Sequence, residues 1–62
     1  MDKPIVKGPV DGNIFAILGA ASKALKHIDQ HNKVNEMFRR ATSTHSYDEA
    51  LSVIMEYVEF NL

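Results

Sequence analysis

The chain has 62 residues, 45% hydrophobic and 24% charged, with no cysteine and a net charge of −1. That length allows one domain, 1–62, burying about 60% of its unfolded surface. It excludes disulfides and cysteine-ligated zinc, and the composition is that of a folded domain, not a disordered tail.

Residues 1–12 hold Pro4, Gly8, Pro9 and Gly12, which interrupt any helix, so they form an extended arm or strand centred on Ile5 and Val6. Asp11-Gly12-Asn13 is a turn signal, and Asn13 is a good N-cap for a first helix over about 14–28. Its apolar positions Ile14, Ile17, Leu18, Ala21, Leu25 and Ile28 follow the helical period. Lys26 and His27 near its end complement the helix dipole. Asp29-Gln30-His31-Asn32 reads as a polar break.

A second helix is expected over about 33–42, with Val34, Met37, Phe38 and Ala41 on one face and Glu36 and Arg40 as an i,i+4 ion pair. Ser46-Tyr47-Asp48-Glu49 matches the capping box and starts a third helix, about 47–58. Its stripe is Tyr47, Ala50, Leu51, Ile54 and Val58. The tail Val58-Glu59-Phe60-Asn61-Leu62 alternates apolar and polar residues, a strand period. The expected fold class is therefore mainly α: three short helices, with the option of a small two-stranded sheet from the termini.

Charge is unevenly spread. Residues 1–12 are neutral, 13–43 carry +3, and 44–62 carry −4. Such a dipolar chain suits self-association, or offers a basic face to an anion. The candidate ligand-binding residues are Lys23, Lys26, His27, Arg39 and Arg40, with Asn13 and Tyr47. The competing reading of the cations is helix-end complementarity and solubility. The negative total speaks against duplex nucleic acid as a partner.

The small residues of the first helix are a second candidate surface. Phe15, Ala16, Gly19 and Ala20 form an expected oligomer interface, because small side chains admit a close neighbour. The alternative is packing of Gly19 within the chain, against the third helix. His27 and His31 are four apart, but a third metal ligand is wanting. No nucleophile elbow, glycine-rich phosphate loop or paired-carboxylate motif is present, so no metal, cofactor or catalytic residue is expected. No stretch approaches the ~20 apolar residues of a membrane span, and Met1-Asp2-Lys3-Pro4 lacks signal-peptide order. The expected setting is the cytoplasm, with the chain made at full length and no membrane partner.

The order Asp11-Gly12-Asn13, Phe15 to Ala20, Ala41-Thr42-Ser43, Tyr47-Asp48 and Met55-Glu56-Tyr57-Val58 resembles a group of small, mostly uncharacterised proteins of bacteria, phages and prophages. The resemblance spans residues 11–60. The loop Thr44-His45-Ser46 departs from it, being longer than the Gly-Asp step of that group. The resemblance implies no reaction. It implies a small binding protein whose partner is a host protein or a sequestered, nucleotide-like anion. The other class kept open is a structural or assembly protein that forms a homo-oligomer.

Overall fold

The computed structural model describes residues 3–8 and 11–61. In chain order the elements are β1 (Ile5–Lys7), α1 (Ile14–His27), α2 (His31–Thr42), α3 (Tyr47–Met55) and β2 (Glu59–Asn61). The mainly helical class and the small terminal sheet are both present. Met1, Asp2, Pro9 and Val10 of the expected arm, and Leu62 of the expected tail, lie outside the described residues.

Asn13 caps α1 as its sequence position suggests: its Oδ1 accepts the Phe15 N–H at 2.9 Å. The buried face is Ile17, Leu18, Ala21, Ser22 and Leu25. Among the described residues Ser22 Oγ has no hydrogen-bond partner.

The helix ends in a Schellman closure. The Gln30 N–H reaches the Leu25 carbonyl at 2.9 Å and the Asp29 N–H reaches Lys26 at 3.0 Å. Asp29 supplies the left-handed residue, φ 61°, that glycine usually supplies. This sharp reversal shortens the polar break. Thus α2 begins at His31, two residues before the expected Lys33. Met37 and Ala41 are its buried residues.

For α3 the Ser46 cap is formed, its Oγ accepting the Glu49 N–H at 3.2 Å. The helix stops at Met55 rather than at about 58. The N–H groups of Glu56 and Tyr57 bond back to Val53 and Ile54 as a turn. That turn sends Val58 into the core, fully buried, before β2 starts. Lys3 Nζ donates to the Met55 carbonyl at 2.9 Å, a cation on the negative end of α3. At the other end the Tyr47 hydroxyl donates to the Gly12 carbonyl at 2.7 Å. Two points of the segment before α1 therefore hold both ends of α3.

β1 and β2 pair in parallel, with Ile5 opposite Glu59, Val6 opposite Phe60 and Lys7 opposite Asn61. Parallel strands need a long crossover, and the three helices supply it. Val6 is buried and Phe60 half-buried, so both face the helices. One apolar cluster joins Val6, Leu18, Met37, Ile54 and Val58 with the alanines Ala21, Ala41 and Ala50. Among the described residues no helix is long and apolar enough to cross a membrane.

Gly19 departs from one of its two expected roles. It is exposed, and a Cβ built there meets nothing within 4 Å. Packing within the chain therefore does not explain it. Its φ is not positive either. Gly19→Ala is accordingly expected to stabilise the protein by about 1 kcal/mol through helix propensity alone. The midpoint of urea unfolding should rise with an unchanged slope. A fall in the midpoint would mean that something covers this face.

Candidate functional site

The first strand and the first helix together build an open groove of about 430 Å³. One wall is β1, and the other is the flank of α1 carrying Ala20, Lys23, Ala24 and His27. These four sit at helical spacing beside the buried stripe, so packing of Ile17, Ala21 and Leu25 fixes where they point. Lys7 closes the strand side. Among the described residues the groove lining contains no carboxylate. Lys7, Lys23 and His27 thus border one groove, with alanine and isoleucine between them.

Of the residues expected to bind a ligand, Lys23 and His27 line this groove. Lys26 is exposed on α1 without lining it, and Arg39 is exposed on α2. Asn13 caps α1 and Tyr47 opens α3, the Asn13 Oδ1 being taken up by the Phe15 N–H and the Tyr47 hydroxyl by the Gly12 carbonyl. Lys7 was not among the expected residues. It precedes Lys23 by sixteen positions, and only the tertiary placement of β1 against α1 unites them.

Arg40 is engaged elsewhere. Its two terminal nitrogens donate to the two oxygens of Glu56 at 2.8 and 3.0 Å. It also donates to the Tyr57 hydroxyl at 2.9 Å, and its guanidinium lies 5.6 Å from the centre of that ring. The hydroxyl in turn donates to Glu36 at 2.7 Å. So the Glu36–Arg40 pair expected along α2 is replaced by a bridge through Tyr57 to the turn after α3. The fork of Arg40 matches a carboxylate in the bidentate way, which Glu36 on the same helix does not offer.

The histidines do not share a helical face. α1 ends at His27 and α2 starts at His31. His31 instead lies 3.3 Å from Asp29, both exposed.

The expected oligomer face is open at two of its four residues. Phe15 is 65% exposed and Gly19 is exposed, while Ala16 and Ala20 are half-buried. A smaller apolar groove of about 290 Å³ lies between Ile17, Tyr47, Leu51, Met55 and Phe60. Comparison with family models, curated proteins and solved structures finds no match for this chain.

The hydrogen bonds from Arg40 hold the Glu56 carboxyl below the usual glutamate range. A depressed carboxylate stabilises the fold above its unfolded pKa of about 4.3 and loses that contribution as pH falls through its native value. Burial pushes the Tyr57 hydroxyl up, which keeps it a neutral donor to Glu36. Melting temperature should therefore fall more steeply below about pH 4.5 in the wild type than in Glu56→Gln. Parallel acid limbs in the two proteins would show that the pair is not coupled to folding.

Proposed function

We propose that this chain is a small non-catalytic binding protein, encoded by a phage or other mobile element, that takes up anionic groups. It acts by sequestering a nucleotide-like anion or by occupying an acidic site on a host protein. The observation that supports this reading is the groove beside β1. Three residues with cationic or hydrogen-bond-donating side chains line it beside apolar neighbours, and its volume is in the range of small-ligand sites. Lys23 and Lys7 supply charge, and the alanine and isoleucine side chains offer a nucleobase or an aliphatic chain an apolar surface. The setting proposed for this activity is the cytoplasm.

The test is a thermal-shift titration with ATP, pyrophosphate and a poly-glutamate peptide. Binding to the native state raises the melting temperature. The rise is expected to vanish in Lys7→Glu/Lys23→Glu and to shrink with added salt. No rise with any of the three probes overturns the reading.

A second reading rests on Phe15, the most exposed large hydrophobic among the described residues, standing one turn from the open Gly19. Here the chain is an assembly protein whose main partner is itself, meeting along α1 through Phe15, Ala16, Gly19 and Ala20. A two-fold contact of this kind brings like patches together. Sedimentation velocity is expected to show dimers that Phe15→Ser returns to monomers while helix content is kept. A wild type that stays monomeric at about millimolar concentration refutes this second reading.

A further inference from the structure

The ladder between β1 and β2 fixes which backbone groups of β1 remain available. The Glu59 N–H donates to the Pro4 carbonyl at 2.9 Å, and the Gly8 N–H donates to the Asn61 carbonyl at 3.1 Å. In a parallel pair the residues of one strand alternate between facing the partner strand and facing away. Residues 4, 6 and 8 therefore face β2. The N–H and C=O of Ile5 and of Lys7 point to the opposite edge.

Among the described residues the sheet has two strands, in the order β1-β2. Among the described residues no strand covers the outer edge of β1. It opens instead onto the groove whose far wall is Ala20, Lys23, Ala24 and His27. The alanines leave room beside the strand. Val6 is turned into the core, while Ile5 is 51% exposed on the outer face.

From this geometry we infer that an extended, acidic segment of a partner protein adds to the free edge of β1 as a third strand. The inference rests on the anion-binding reading above and names its partner class. Strand addition takes its affinity from main-chain hydrogen bonds and its selectivity from alternate side chains. Ile5 and Lys7 supply two donors and two acceptors. Lys7, Lys23 and His27 favour carboxylates on the incoming strand, and among the described residues no acidic side chain in the lining opposes them.

The same charges disfavour a second copy of this chain on that edge. Two β1 strands side by side bring Lys7 and Lys23 of each copy into one groove. Like charges across a strand pair are destabilising.

The probe is an eight-residue peptide alternating Glu with Val and Thr, capped at both ends and fluorescently labelled. Two further versions carry N-methyl groups, one set on the odd-numbered amides and one on the even-numbered amides. Binding is followed by anisotropy, and the protein's amides by NMR and hydrogen exchange. The unmodified peptide is expected to bind and to slow exchange at the Ile5 and Lys7 amides. One N-methylated version, the set facing the edge, should lose at least tenfold in affinity while the other is little changed. Lys7→Glu/Lys23→Glu should also lose at least tenfold.

If both methylated versions bind as well as the parent but charge reversal abolishes binding, strand addition is wrong and the anion-binding reading survives. Failure of the peptide while pyrophosphate still binds through Lys23 has the same meaning. Peptide binding indifferent to charge reversal overturns both. If the Ile5 and Lys7 amides are protected in the free protein only at concentrations where it dimerises, the edge belongs to a second copy and the inference fails.

Discussion

The short ladder between β1 and β2 is the constraint on which the rest of this molecule depends. It holds the segment before α1 against the segment after α3, and so places Val6 over the helices. That placement carries Lys3 to the end of α3 and Lys7 to the flank of α1. Without it the groove has one wall, and α3 loses the cation at its C-terminus. A chain with no disulfide and a core worth about 3–5 kcal/mol has few other ways to fix its ends.

Much of the fold was legible from local chemistry. Asn13 and Ser46 are capping residues in sequence and cap in the structure, because a cap depends only on neighbours two or three positions away. The buried stripe of α1 follows its apolar period for the same reason. Helix ends were harder. Asp29 is a polar residue in a polar run, and nothing in its neighbours announces a left-handed conformation. Val58 fits the period of a helix and of a strand alike, so periodicity could not say where α3 stops. The site was less legible than the fold. Lys23 and His27 could be chosen from α1 alone, whereas Lys7 joins them only across the packed molecule. Sequence spacing pairs Arg40 with Glu36 on its own helix, but the better-shaped partner arrives with the turn at Glu56.

The uneven charge of the chain acquires a different meaning in three dimensions. The acidic last third does not simply await a second molecule. Glu56 neutralises Arg40, and Tyr57 binds Glu36 into the same cluster. Both residues of this ion pair are about half exposed, so its contribution to stability is modest and salt-sensitive. What the pairing does is sort the cations. Arg40 is engaged within the chain, while Lys7 and Lys23 border a groove with no acid among its described lining residues. Ser22 shows the opposite economy: a hydroxyl buried on α1 without a partner is a cost that tight packing of Leu18, Ala21 and Leu25 must offset.

The parallel pairing of β1 with β2 also sets an order of events in time. Ile5 and Glu59 are 54 positions apart, whereas the contacts within each helix span three or four. Closing so long a loop costs chain entropy that is regained only when the ladder and the Val6 contacts form together. Helix formation takes about a microsecond or less, and contacts of large sequence separation come later. The helices can therefore dock while β1 still moves as a tether. In the finished protein the same logic runs backwards: β1 is held across a long loop by a three-residue ladder, and its release would take away one wall of the groove and Val6 from the core while the helix–helix contacts remain.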